Sequence, residues 1–541
     1  MTDEQGRFAY TSLPAGRYTL SASKLGHVNV SYGQRQPGRP GTPIQLSDGQ
    51  KFEARLVLPR GGVLTGTVLD EHGEPTPGTQ VRVMRYVMQN GARTLQGAST
   101  DSTDDRGVFR VYGLQPGEYA ICATPRAASP AAGADMVQRE VEALRQRAAA
   151  LSGTDAAQAQ QMLQRAMAMQ AEVPDASEQQ SGYAPVCYPG TTAVANAATV
   201  TLGVGEEKSG IDFPLQLVPI GSVEGLVVNS AGPAPSNLQV RLIPTGASIP
   251  GVGTLTARPG ADGRFRIGNV APGLYTLVAR ATAGPARPVA IAADQPSPPR
   301  VEPARLWAAA DVSVDGRDVA NVVLSLQPGM TVSGHIAFDG SQAPPSDLTR
   351  MRVSLAPSDT GAAREMASGA AGRVEASGRF TIPNVVPGRY RLTASGGGAG
   401  WVTESATVAG QDTLDFPVEV KPNQHVSGAV ITLTDRQTEL SGLLSDGRGQ
   451  PATDYTLIVF PADQRFWVAG TRRIQTARPA TDGRFILRNL PAGDYRIATV
   501  VDPEPGSWTD PAYLQQLEAV SLRVTLAPGE KKVQNVRLAG Q

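Results

Sequence analysis

Apolar and polar residues alternate on both sides of a Pro/Gly turn at five places in this chain. In Gly483-Arg484-Phe485-Ile486-Leu487-Arg488-Asn489-Leu490-Pro491-Ala492-Gly493-Asp494-Tyr495, Phe485 and Leu487 share one face, and Tyr495 and Ile497 share it again after the turn. The other copies run Gly6 to Tyr18, Gly107 to Tyr119, Gly263 to Tyr275 and Gly378 to Tyr390. In each, Phe follows the first Gly by two, a second Gly precedes the Tyr by two, and the Tyr closes the motif 12 residues after it opens. Period-two alternation around such a turn predicts a hairpin with one buried face. Pro presets φ for the turn and Gly supplies positive φ. The shared residues are therefore expected to be scaffold.

A second pattern opens four units. A Gly is flanked at two residues either side by apolar residues in Leu64-x-Gly66-x-Val68, Val223-x-Gly225-x-Val227, Val332-x-Gly334-x-Ile336 and Leu440-x-Gly442-x-Leu444. It lies 41, 38, 44 and 41 residues before the hairpin Gly. Alternating strands close the units at Phe52–Leu58, Ile211–Leu217, Val322–Leu326, Val426–Leu433 and Val533–Leu538. Short strands at a period near ~100 residues read as tandem β-sandwiches. The expected units are 1–60, 61–219, 220–326, 327–438 and 439–541, joined by short connections into a semi-rigid rod on the order of 150 Å long. The first unit has five residues before Gly6 and so lacks opening strands. By analogy with its sisters, roughly 35 residues and any export signal are expected upstream of Met1.

Two helical patterns interrupt the β-character. Residues 135–171 are rich in Ala and Gln, with Val137, Val141, Leu144, Ala148 and Leu151 at helical spacing and a break at Gly153-Thr154-Asp155. This predicts an inserted α-helical hairpin that either packs on its own sandwich or serves as a docking arm. A short helix is expected over 511–518, with Asp510 as N-cap and Pro511 at N1.

Composition narrows the function classes. Basic and acidic residues balance at 49 each, which supplies no electrostatic footprint for nucleic acid. No apolar run approaches the ~20 residues of a membrane helix, so no direct membrane insertion is expected. The 59 Gly and 43 Pro fit turn-dense β-architecture. His27, His72, His335 and His425 follow no ligand spacing, and no nucleophile elbow, phosphate loop or dinucleotide fingerprint is present. Catalytic, cofactor and metal residues are accordingly expected to be none. Asp101, Asp104 and Asp105 crowd one turn, where carboxylates either cap the turn or hold calcium.

Three features remain as candidates. Cys122 lies on the face opposite Tyr119, a side that is mostly polar in the other copies, and Cys187 sits in the return segment beyond the insert. Either they pair, closing a loop of about 65 residues in an oxidising compartment, or both are free thiols. Trp307, Trp401, Trp467 and Trp508 are either sugar-stacking platforms or local packing. The alternation of the run around Trp307 points it away from the core.

With both patterns in hand, the units resemble the carboxypeptidase regulatory-like domain, a transthyretin-like or prealbumin-like β-sandwich related to carbohydrate-binding folds. The residues that carry this are the strand around Gly66, the turn Asp70-Glu71-His72-Gly73-Glu74-Pro75, and Thr103-Asp104-Asp105-Arg106-Gly107-Val108-Phe109 leading to Tyr119. Tandem arrays of this kind resemble exported acidobacterial proteins. The resemblance implies an all-β chain of Ig-like sandwiches acting as a non-catalytic envelope spacer or binding protein, with polysaccharide or another envelope protein as partner. Its location would be extracellular, periplasmic or outer-membrane associated. The alternative is a regulatory or assembly portion of a peptidase or of a TonB-dependent outer-membrane receptor system.

Overall fold

The computed structural model describes the chain apart from residues 90, 126–163, 165–180, 231, 247–248, 250–251, 283–303, 359–366, 368, 399 and 539–541. It is an all-β protein of tandem sandwiches. Of the segment 135–171 expected to form a helical hairpin, only Gln164 is described, and it is helical. The rest of that expectation lies outside the described residues.

The two sequence patterns turn out to be cross-strand neighbours. The opening strands Gly62–Leu69, Gly221–Asn229, Met330–Asp339 and Glu439–Ser445 each lie at the centre of a layer. On one side each pairs antiparallel with the Gly-x-Phe strand, and on the other it runs parallel to the closing segment. Register places Gly66 opposite Phe109, Gly225 opposite Phe265, Gly334 opposite Phe380 and Gly442 opposite Phe485. A Cβ at these glycines would come within 2.0 Å of the Ile211 carbonyl oxygen, 2.2 Å of that of Val322, and 2.0 Å of those of Ala429 and Gln534. No side chain fits there, because the closing strand's carbonyl and the Phe ring already fill the space.

The second layer is built on the Tyr strand. In the fifth unit it runs Gln475–Ala477, Tyr455–Pro461, Gly493–Val501, Leu522–Leu526, and the fourth unit repeats this arrangement. In the third unit, pairing of Leu306 with Pro328 and Trp307 with Gln327 joins both layers into one seven-stranded sheet. Between the layers lie four separate cores, each drawn from one unit and centred on Phe109, Phe265, Phe380 and Phe485.

The Tyr hydroxyl has the same task in all five units. It donates to the carbonyl oxygen four residues upstream: Tyr18 to Pro14 at 2.7 Å, Tyr275 to Ala271 and Tyr390 to Val386 at 2.8 Å, Tyr495 to Pro491 at 2.6 Å, and Tyr119 to Gln115. The phenol thus stitches the turn to the strand that follows it. Positive φ falls on the opening Gly of each motif and on the residue six later, Ser12, Gly113, Asn269, Asn384 and Asn489. Asn tolerates that left-handed backbone better than most side chains.

Three features depart from the sequence reading. First, the outer face of the Tyr layer is covered rather than polar. Cys122, Ala120 and Met84 are buried with Cys187, Val194 and Ile249 of the third unit. In the fifth unit Ile458, Phe460 and Ala498 lie beneath Trp467 and Leu514. Leu514 belongs to the helix Pro511–Glu518, whose Asp510 carboxylate accepts from the Ala512 amide at 2.9 Å, as the capping pattern predicts.

Second, the closing strand expected in the first unit is not formed. Gly16–Tyr18 pairs with Ile44–Leu46 and Ser21–Ala22 with Val30–Ser31. Phe52–Leu58 joins no ladder.

Third, the chain does not extend as a rod. The fifth unit contacts the first, the second and the fourth, through the clusters described next.

Candidate functional site

Polar side chains with unusual burial gather where units meet. In the fifth unit the segment Thr471-Arg472-Arg473 reaches across to the fourth. There the Asp415 carboxylate is fully buried and accepts from Arg473 Nε at 2.8 Å and from Thr471 Oγ1 at 3.1 Å. Arg472 donates to Asp412 Oδ2 at 2.7 Å and to the Glu404 carbonyl oxygen at 2.5 Å. The Arg473 guanidinium lies 4.3 Å over the Phe466 ring, which packs 5.3 Å from Phe416. In return, Arg391 of the fourth unit donates to the Ala469 carbonyl oxygen at 2.6 Å, and burial lowers its pKa. A carboxylate removed from water needs such paired donors on every open lone pair.

Arg478 performs the equivalent task toward the first unit. It is 6% exposed and donates to the carbonyl oxygens of Gly33 (2.7 Å), Thr453 (3.1 Å) and Pro40. Burial pushes its pKa down, opposed by the charges of Asp454 and Asp502. Around it, the Thr481 amide donates to the Pro43 carbonyl oxygen at 2.9 Å, the Gln45 amide to Thr481 Oγ1 at 3.1 Å, and Arg17 to the Arg478 carbonyl oxygen at 2.8 Å. Toward the second unit, Thr509 Oγ1 accepts from the Gly91 amide at 2.6 Å. A cleft of ≈ 340 Å³ opens where units one, two and five meet, lined by Gly38, Arg85, Met88, Gln96, Glu504 and Gly506. Alternation does not single out Arg478, Asp415, Arg472 or Arg473. The signal for the arginines is three Arg within Thr471–Arg478, a run with little alternation to mark it, and Asp415 has none.

The residues singled out from sequence do not converge. Cys122 and Cys187 face each other in register across paired strands, their sulfurs bonded at 2.00 Å and both side chains buried. Trp467 is buried, donates from Nε1 to the Pro461 carbonyl oxygen at 2.8 Å, and packs 5.8 Å from Phe460. Trp307 is also buried, at 7% exposure, so neither ring is free to stack on a ligand. Trp508 is half-buried beside the Trp467 cluster. Trp401 is half-buried at the edge of the fourth core, 5.0 Å from Phe338. The four rings sit in three units and form no common platform.

The crowded Asp turn is a local device. Asp104 accepts from the amides of Arg106 and Val108, and Asp101 from those of Ser102 and Arg110. Among the described residues, Asp70, Glu71 and His72 are the group with ligand atoms near enough to share a cation. Asp70 is already committed to the amides of His72 and Glu74, and this holds its carboxyl below the usual range. Glu71 accepts from Tyr183, whose phenol is pushed up to about 12 by that bond.

Comparison with known proteins gives a short match. Residues 371–415, in the fourth unit, match polysaccharide lyase family 4, domain II. No curated protein matches the chain. Similar solved structures include the Bacillus anthracis TIE protein, at 9% identity over 89% of this chain and 74% of that one, with TM-score 0.15. The major pilin subunit BcpA of Bacillus cereus shares 11% over 59% of this chain and 98% of its own, TM-score 0.16. The pilus protein RrgB of Streptococcus pneumoniae shares 8% over 82% and 90%, TM-score 0.14. At those scores the sandwich assignment rests on this chain's own ladders.

Proposed function

We propose that this chain is a non-catalytic, exported or cell-envelope protein built of carboxypeptidase regulatory-like repeats, which presents a fixed cluster of sandwiches to a polysaccharide. The observation that carries the reading is where the chemistry-bearing residues are spent. The repeated Gly, Phe and Tyr close individual sandwiches, and buried Asp415 and Arg478, with half-buried Arg473, lock one unit to another. The match of residues 371–415 to a domain of a polysaccharide lyase supports polysaccharide as the ligand class. The buried Cys122–Cys187 bond supports an oxidising compartment, since such bonds persist there. Half-buried Trp401 lies at the edge of the unit that carries this match, where a sugar could stack on it.

The test is a pull-down of the whole chain on a panel of insoluble neutral and acidic polysaccharides, followed by a glycan array. Retention on at least one polymer, lost in Trp401→Ala, is the expected result. Absence of retention on every polymer would remove the carbohydrate role and leave a spacer.

A further inference from the structure

Two Asp-Pro bonds lie close together in the fifth unit, Asp502-Pro503 and Asp510-Pro511, and the fold treats them differently. An Asp-Pro bond is open to attack by its own side chain, because the Pro nitrogen is a tertiary amide without N–H and leaves once protonated. Asp510 is committed to the helix it starts. Its backbone is extended at φ −86°, and its carboxylate accepts from the Ala512 amide at 2.9 Å. Asp502 instead holds φ +50°, in the left-handed region that few residues other than glycine adopt. Its side chain is 10% exposed, and Oδ1 is buried with no hydrogen-bond partner among the described residues. A buried carboxylate oxygen without a donor is unfavourable, and beside a strained backbone it points to function. Arg39 of the first unit clamps the segment: its Nε lies 3.8 Å from Asp502 Oδ2, and Nη1 donates to the Pro503 carbonyl oxygen at 3.2 Å. The next residues, Glu504 and Pro505, line the ≈ 340 Å³ cleft between units one, two and five, which brings solvent to the edge of the segment.

We infer that the Asp502–Pro503 bond is a self-cleavage site at which the Asp502 side chain is the nucleophile. Arg39 faces Oδ2, so Oδ1 is the oxygen free to react. Carboxylate Oδ1 attacks the Asp502 carbonyl carbon and closes a five-membered cyclic anhydride. The C–N bond to Pro503 breaks as its nitrogen takes a proton from solvent and leaves as a secondary amine. Water then opens the anhydride, restores both carboxylates of residue 502 and returns the proton. One water is consumed, and no other reactant is needed. Holding the two reacting groups together is what accelerates such a closure. The cut would divide the fifth unit without releasing either piece. Leu522–Leu526 stays paired with Gly493–Val501, and Lys531–Val533 with Glu439–Ser445. The product is a sandwich of two polypeptides with a new N-terminus at Pro503.

The test holds the purified full chain, folded, in mildly acidic buffer and follows it by denaturing electrophoresis and intact-mass measurement. Fragments 1–502 and 503–541 should accumulate roughly tenfold or more faster than 1–510 and 511–541. In guanidinium at the same pH the two bonds should break at similar rates, since the fold no longer distinguishes them. Hydroxylamine added to the folded chain should intercept the anhydride and leave a hydroxamate on residue 502. Asp502→Ala should stop the cut, and Asp502→Glu, which must close a larger ring, should slow it. The inference is overturned if the folded chain yields no 503–541 fragment, or if both bonds break equally in the folded state. It is likewise overturned if Asp502→Ala is cut at the same place.

Discussion

Gly442 stands directly across the ladder from Phe485, and a Cβ on it would lie 3.0 Å from the Phe485 ring and 2.0 Å from the Gln534 carbonyl oxygen. Gly442→Ala is therefore expected to force apart the opening and closing strands of the fifth unit. A loss of about 2–3 kcal/mol follows from overpacking against rigid backbone. Urea denaturation of the whole chain, followed by tryptophan fluorescence, checks it, since Trp467 and Trp508 report on that unit. Gly449→Ala, an open position with positive φ, should cost less.

Tyr495 offers a paired test of mutation and pH. Removing its hydroxyl in Tyr495→Phe should cost about 1 kcal/mol, the net worth of the bond to Pro491. Burial pushes the Tyr495 phenol from 10.0 up to about 12. The neutral form is thus favoured in the folded state. That stability is fully present below pH 10 and is lost as pH rises toward about 12, where the folded phenol also ionises. An alkaline series of melts should show this fall in the parent chain and less of it in Tyr495→Phe.

Much of this was written in the chain. The register of Gly442 with Phe485 follows once both are seen as recurring marks on alternating strands, because a period of two fixes the faces. What alternation could not show was the covering of the outer face. Leu457-Ile458-Val459-Phe460 is a continuous apolar run, the mark of a strand buried on both sides, and it was legible. Ile249, in the same buried cluster as Cys122, comes from another unit, and no local pattern connects them. The left-handed residue six after each opening Gly was hidden by its changing identity: Ser, Gly or Asn. The candidate site was less legible still. Arg478 and Asp415 find their partners across unit boundaries, at sequence separations that carry no periodicity.

Cys122 and Cys187 close a loop with a separation of 65 residues. A double Cys122→Ala, Cys187→Ala variant should lose about 4 kcal/mol in the chain-entropy account. Peptide mapping under non-reducing conditions should recover the linked fragments from the parent chain. Reduction should destabilise the second unit and leave the fourth and fifth unchanged.

Asp415→Ala should leave half-buried Arg473 without its carboxylate partner between the fourth and fifth units. Breaking a buried pair from one side costs about 3–5 kcal/mol, here charged against the contact between the fourth and fifth units. The expected signature is a larger radius of gyration by small-angle scattering and faster proteolysis near residues 434–438, with each sandwich still folded by amide exchange. Arg478→Ala should release the first unit from the fifth by the same measures.

The grip of Arg478 on Gly33 and Pro40 also decides how the molecule carries force. The first and fifth units hold each other, so tension applied across these two units loads that latch first. Once it opens, the contact of Thr509 with Gly91 takes the load next, before any sandwich unravels. Such a protein would behave as a folded extension with catches that give way in turn, short at rest and longer with each threshold pull.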